Sequence, residues 1–138
     1  MDFLGKRPQR PAVKPVNNTT ARGQLAEDAA LAYLQAQGLK LVDRNYRTPG
    51  RGGGEIDLIV RDRDGSLVFV EVRSRNTDRF GGAGASIGHA KQQRIVLAAR
   101  HYLMRLAAPP PCRFDVVLVD SSASPAAIEW LKAAFDAM

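Results

Sequence analysis

The sequence predicts an α/β domain whose elements follow the order helix, three strands, helix, strand. Helical periodicity occurs on both sides of residues 54–75, which alternate like two β-strands joined by a short polar turn. A further run of apolar and β-branched residues covers 113–119 and predicts another strand. Residues 22–138 are therefore expected to form a single domain, and residues 1–21 a disordered basic tail that is rich in proline.

Composition narrows the class of protein. The chain has 138 residues, 45% of them apolar and 25% charged, which is typical of one soluble globular domain. The net charge of +6 and the pI of about 10.0 favour a polyanionic partner such as nucleic acid, although most of this charge lies in residues 1–22. A single cysteine, Cys112, excludes an internal disulfide. Without a signal peptide or an apolar run long enough to cross a membrane, the sequence predicts a cytoplasmic protein that has no membrane partner.

The first helix is predicted from Thr20 or Arg22 to Gly38, where glycine ends it. Its expected apolar stripe consists of Leu25, Ala29, Ala32, Tyr33 and Ala36. Glu27 lies early in this helix, where an acid complements the helix dipole, but it could instead point at the sheet. A strand over 39–46 and a glycine-rich loop over 48–54 follow, and Arg51 in that loop is a candidate phosphate contact.

The register of the central hairpin follows from parity. Apolar residues with even numbers recur on both strands and should be buried on one face of the sheet: Ile56, Leu58, Val60, Val68, Val70 and Val72. A three-residue loop over 63–65, with Gly65 in the left-handed conformation, gives partners whose numbers add up to 128. Asp57 would then lie opposite Glu71, and Glu55 opposite Arg73.

Two carboxylates this close on a largely buried sheet repel each other and lose hydration. A divalent cation would compensate for both effects, and oxygen ligands at this spacing suit Mg²⁺ or Mn²⁺. Asp57 and Glu71 are the predicted metal ligands, with Glu27 and Glu55 as auxiliary acids. The alternative is a solvated sheet face on which Glu55, Asp57, Glu71 and Arg73 form cross-strand ion pairs.

The second helix, predicted from Ser86 or Gly88, has an apolar stripe at Ile95, Ala99, Tyr102 and Leu106. A basic residue in the first turn opposes the helix dipole, so Lys91 is a candidate phosphate contact. Arg75, in the glycine-containing loop before this helix, is another. In the last strand Asp115 is expected to pair with a neighbouring basic residue. The tail should form a short edge strand over 128–131 and then a terminal turn packed by Trp130 and Phe135.

The order of the elements, with acids on the second and third strands, resembles the restriction-endonuclease-like core. The PD-(D/E)-x-K signature of that superfamily would map onto Asp57 and onto Glu71-Val72-Arg73. More closely, the chain resembles the YraN-type family, also called UPF0102. The matching blocks are 22–27 (RGQLAE), 45–47 (NYR), 53–59 (GGEIDLI), 68–75 (VFVEVRSR), 91–92 (KQ) and 113–116 (RFDV).

This resemblance implies a mixed sheet flanked by helices and kinship with junction-resolving and restriction nucleases. In those relatives an Asp, a Glu and a helix Glu hold Mg²⁺, which maps onto Asp57, Glu71 and Glu27. Arg73 stands where the relatives have lysine; it can contact phosphate or a developing negative charge, but it stays protonated. Ile56 stands where the superfamily has proline. A homodimer is expected by analogy with nucleases that cut two strands symmetrically.

The leading hypothesis from the sequence is a nuclease-like, nucleic-acid-binding protein, a Mg²⁺- or Mn²⁺-dependent endonuclease on branched or single-stranded DNA. Asp57, Glu71 and Arg73 are the candidate catalytic residues. The candidate nucleic-acid contacts are Arg51, Arg75, Lys91 and Gln92. One alternative is a non-catalytic nucleic-acid-binding or assembly module that keeps the fold, and another is a hydrolase of smaller phosphate esters.

Overall fold

A computed structural model describes residues 18–50, 53–74 and 87–137. It contains two helices and five strands: α1 (Asn18–Ala36), β1 (Lys40–Arg47), β2 (Glu55–Arg61), β3 (Leu67–Ser74), α2 (His89–Leu103), β4 (Cys112–Asp120) and β5 (Ala127–Phe135). The predicted order of elements is confirmed, and β5 follows it. α1 begins at Asn18, so residues 18–21 are helical and do not belong to the predicted disordered tail. No helix of the described part is long and apolar enough to cross a membrane.

The five strands form one mixed sheet in the order β1-β2-β3-β4-β5. β3 and β4 are parallel, and all other neighbours are antiparallel. The chain makes the parallel connection through α2, as a parallel pair requires a long crossover. α1 packs on one face of the sheet with Leu58, Val60, Val68 and Val70, and α2 packs on the other face. This is a mixed α/β fold of the kind expected for a nuclease-like core.

The hairpin of β2 and β3 has the predicted register. Its partners are Leu58 with Val70, Ile59 with Phe69, Val60 with Val68 and Arg61 with Leu67. Gly65 has a φ of +91°, and Asp62 and Ser66 close the three-residue loop with a hydrogen bond of 2.9 Å. One part of the parity prediction is wrong, because Ile56 packs with Ile59 on the α2 side. The alternation therefore breaks next to Asp57.

The predicted apolar stripe of α1 is confirmed in part: Ala29 and Tyr33 pack against the core, but the fully buried row lies one position further along the chain. Ala26, Ala30 and Leu34 face the sheet, whereas 66% of Leu25 is exposed. The two alanines in this buried row let the helix backbone approach the sheet closely. Gly38 follows the helix with a φ of +100°, as its predicted role as a helix stop requires.

The C-terminal segment is a full strand and not the predicted short strand followed by a turn. β5 runs to Phe135 and passes through a register shift, where Ala133 has a φ of +51°. Asp115, which is completely buried in β4, stabilises this irregularity by accepting hydrogen bonds from the Ala133 N–H and from Trp130 Nε1, both at 2.9 Å. Arg113 Nε also donates to Asp115 at 3.0 Å, so the predicted pairing with a basic neighbour is confirmed.

Candidate functional site

Asp57 lies where the β2–β3 ladder ends. The last backbone pair is Leu58 with Val70. Beyond it, the Val72 N–H donates to Asp57 Oδ2 at 2.8 Å, so a carboxylate oxygen accepts the hydrogen bond from the neighbouring strand. The hydrogen bond fixes the Asp57 carboxylate against β3, at the point where the alternation of β2 breaks.

The pKa of Asp57 is raised to about 8, chiefly by burial and next by the charge of Glu71. The charges of Glu27 and Glu55 add smaller effects of the same sign, whereas the hydrogen bond from Val72 opposes them. Three acids, one each from α1, β2 and β3, thus act electrostatically on Asp57. The two carboxylates lie close enough for the charge of Glu71 to act on Asp57, although their residues are not among the backbone pairs of the β2–β3 ladder.

Glu71 is buried, with 6% of its surface exposed, in the middle of a strand of apolar residues. Lys91 Nζ lies 3.2 Å from Glu71 Oε2, so the first turn of α2 supplies a cation to this carboxylate. The Lys91 side chain is itself about half exposed. Because its ammonium group is also accessible to solvent, Lys91 can leave Glu71 and bind an incoming anion instead.

Glu27 and Glu55 are held beside the site by β1. Asn45 Nδ2 lies 3.1 Å from Glu27 Oε1 and 3.5 Å from Glu55 Oε2, so a single amide bridges the two carboxylates. Arg44 adds a contact to Glu27 and Arg47 an ion pair to Glu55, both at 3.6 Å. Glu27 thus faces the sheet. The predicted pairing of Glu55 with Arg73 is wrong, because the β2–β3 ladder ends at Leu58 and Glu55 pairs instead with Arg47 in β1.

The acids do not converge as tightly as a complete metal-binding shell. Over 18–50, 53–74 and 87–137, no three Asp, Glu, His or Cys side chains are grouped closely enough to hold a metal ion. Mg²⁺ is often bound by only one or two protein carboxylates, with waters and substrate phosphate oxygens as the other ligands. The donor set of Asp57 and Glu71 fits that mode of binding, and Glu27 and Glu55 lie outside it with partners of their own.

Four other residues were predicted to contact nucleic acid, and the structure describes two of them, Arg73 and Gln92. Arg73 follows Glu71 by two residues and so lies on the same face of β3, half-buried and without an ion pair to any described residue. Gln92 donates its amide to the Ile87 carbonyl oxygen at 2.8 Å and thereby helps to fix the start of α2. Arg51 and Arg75 lie outside the described residues.

Two features of the site escaped the sequence analysis. Asn45 has a φ of +53°, which is unusual for a residue inside a strand, and its only signal in the sequence was an asparagine in an otherwise extended run. A cavity of about 330 Å³ also opens between the β1–β2 loop and α2, lined among others by Arg47, Lys91 and Arg94. Its lining residues come from two separate segments of the chain, 47–55 and 91–95, so no local pattern could reveal it.

Comparison with known proteins identifies the family. The profile described as "Uncharacterised protein family UPF0102" matches residues 26–119. The chain belongs to the UPF0102 family. Similar proteins, each named UPF0102 protein, occur in Paracidovorax citrulli (64% identity) and in an Acidovorax species, strain JS42 (63%), and in both cases the match covers 99% of each chain. A relative in Verminephrobacter eiseniae is 62% identical over 99% of this chain and 97% of its own.

Proposed function

We propose that this UPF0102 protein is a divalent-metal-dependent phosphodiesterase that cleaves nucleic acid, most readily DNA, in the cytoplasm. The observation that carries the proposal is the pair of carboxylates, Asp57 and Glu71, held together on adjacent strands at a largely buried position. The fold does not need this arrangement, because burial and repulsion make it costly. Such a cost is typical of a site that is built to bind a ligand of opposite charge.

Asp57 and Glu71 would hold a Mg²⁺ or Mn²⁺ ion. When bound, such an ion polarises a phosphate oxygen and makes a bound water more acidic. The protein's own part is to fix both carboxylates, Asp57 through the Val72 N–H and Glu71 within its buried strand. Lys91 neutralises Glu71 in the free protein and lies close enough to contact an incoming phosphate.

Arg73, two residues after Glu71 on β3, is a second candidate phosphate contact. Its guanidinium has no acidic partner in the described part of the chain and stays protonated at every ordinary pH. It can therefore donate hydrogen bonds to a phosphate but cannot accept a proton from water. We infer that Arg73 binds and orients the phosphate, and that deprotonation of water depends on other groups.

Cleavage assays test the proposal directly. Labelled single-stranded, duplex, flap and four-way-junction DNA would be incubated with Mg²⁺ or Mn²⁺ and with wild type, Asp57→Asn or Glu71→Gln. Asp64→Asn is the matched control, because Asp64 is an exposed acid in the hairpin turn, away from the site. We expect metal-dependent products that disappear in the two site variants and persist in the control. Isothermal titration with Mn²⁺ should show binding to wild type and a loss of affinity in Asp57→Asn.

The alternative is a non-catalytic nucleic-acid-binding module, which the absence of a three-ligand acidic group among the described residues favours. It predicts salt-dependent DNA binding through lysine and arginine, no products with any metal, and equal affinity of wild type and Asp57→Asn for DNA. Equal affinity of these two proteins for Mn²⁺ would also refute the metal site.

A further inference from the structure

The cavity between the β1–β2 loop and α2 has a fixed wall. The Thr48 N–H donates to the Gly54 carbonyl oxygen at 3.1 Å, and the Gly54 N–H donates to Thr48 Oγ1 at 2.9 Å, so the two ends of the loop are tied together. Gly54 in turn lies directly on α2, because a Cβ added there would come within 2.1 Å of the Arg94 carbonyl oxygen. The tied loop ends and the helix therefore hold the cavity open as one unit.

The lining of this cavity is strongly basic. Arg47, Lys91 and Arg94 contribute cations, and among the described residues that line the cavity Glu55 is the only acid. Arg47 already forms an ion pair with Glu55 at 3.6 Å. Arg94 is exposed and forms no ion pair with a residue that the structure describes. Since α2 contains no Asp or Glu, nothing on this helix offsets the positive charge.

The cavity adjoins the carboxylate pair. Lys91 lines it and at the same time lies 3.2 Å from Glu71 Oε2. Glu55 also lines the cavity, and its charge contributes to the raised pKa of Asp57. A ligand in the cavity and a phosphate at Asp57 and Glu71 would therefore both lie next to Lys91. Two successive phosphates of one nucleic-acid strand could occupy these two positions.

We propose that this cavity is a phosphate subsite, in which Arg94 and Arg47 bind the phosphate that neighbours the scissile one in a nucleic-acid strand. The assignment rests on the proposed function for the identity of the strand, but the binding itself needs no metal and no cleavage. The ligand is either an internal phosphodiester or a terminal phosphate, since both present the same oxygens to an arginine.

The test measures binding of a thymidine oligonucleotide, labelled with fluorescein at its 3′ end, by fluorescence anisotropy in EDTA over a range of salt concentrations. The variants are Arg94→Gln and the double variant Arg47→Gln/Arg94→Gln. Arg100→Gln is the matched control, because Arg100 is an exposed arginine of the same helix that does not line the cavity. Both subsite arginines are exposed, so the variants should fold, which a thermal melt would verify.

We expect weaker binding in both variants and a slope of log affinity against log salt that is smaller by about 0.7 for each phosphate contact removed. Arg100→Gln should keep the wild-type slope. Comparing oligonucleotides with a 5′-phosphate and a 5′-hydroxyl separates the two sources: a loss seen only with the 5′-phosphate identifies a strand end, and an equal loss with both identifies an internal phosphate.

The inference is overturned if the double variant binds with the affinity and salt slope of wild type, or if wild type does not bind DNA. Cleavage assays with the same variants test the phosphodiesterase activity independently of the phosphate subsite. Cleavage by the double variant with an unchanged KM would keep the phosphodiesterase and reject the subsite. Binding that depends on Arg94, without products under any metal, would keep the phosphate site and reject hydrolysis.

Discussion

Replacing Asp57 by asparagine should stabilise the metal-free protein at alkaline pH. Burial and the charge of Glu71 raise the Asp57 pKa from its ordinary 3.8 to about 8. At about 1.4 kcal/mol per pH unit, ionised Asp57 costs the folded state up to about 6 kcal/mol. The amide has nearly the same shape and keeps an acceptor oxygen for the Val72 N–H, so the substitution removes the charge and little else.

The sign of the effect defines the pH range. Between about pH 4 and pH 8 the folded protein retains a proton on Asp57 that the unfolded chain has released, so the free energy of unfolding of wild type falls as pH rises. Below about pH 4 both states are protonated, and above about pH 8 both are ionised. The advantage of Asp57→Asn should therefore be small at pH 4.5, grow through neutrality and level off above pH 8.

Urea unfolding in EDTA from pH 4.5 to 9, followed by fluorescence of the single tryptophan, Trp130, measures this difference. Asp62→Asn is a control of opposite sign, since the Arg63 N–H, with Arg113, lowers the Asp62 pKa. That variant should be less stable than wild type at neutral pH, and its deficit should shrink as pH falls. If Asp57→Asn is no more stable than wild type at pH 8.5, the site is not under electrostatic strain and the reasoning behind the metal proposal fails.

Three further predictions concern the scaffold, each measured by urea unfolding at neutral pH. Asp115→Ala should lose about 3–5 kcal/mol, because it removes a buried acid that accepts bonds from two strands; a loss below 1 kcal/mol would contradict this role. Gly54→Ala should lose about 1–3 kcal/mol through its contact with the Arg94 carbonyl oxygen, whereas Gly23→Ala, a helical position with open space around it, should gain up to about 1 kcal/mol. Asn45→Ala should be about 1 kcal/mol less stable than Asn45→Gly because of the positive φ, and equal stabilities would show that the backbone relaxes.

The central hairpin could be predicted because its constraints are local. A period of two on each strand and a glycine at the turn leave few registers that bury both apolar sets, and the observed pairs follow from that argument. Ile56 departs from the pattern since the ladder ends at Leu58 and the Asp57 carboxylate takes the next hydrogen bond. The sequence located the two acids, but it could not show that β2 changes its alternation next to Asp57.

Other elements were missed because tertiary contacts decide them. The choice between Leu25 and Ala26 for the buried row of α1 depends on how closely the helix approaches the sheet, which periodicity does not specify. β5 continues to Phe135 only because Asp115, some twenty residues earlier, binds the backbone at the irregularity. In the sequence, the only sign of this contact was an aspartate, Asp115, inside an otherwise apolar strand.

Several residues of the site say little about function from their sequence positions alone, and their role becomes clear only from where the fold places them. Asn45, Lys91 and Arg94 are ordinary polar residues in the sequence, yet the fold places the first between two carboxylates, the second on a buried acid and the third on a glycine-lined cavity. Lys91 matters most, because α2 brings its ammonium group within 3.2 Å of Glu71 Oε2, whereas Arg73 stands on β3 at the position onto which the lysine of the nuclease signature would map. Arg73 and Lys91 belong to different elements, β3 and α2, so the proposed phosphate contacts would come from both the sheet and the helix.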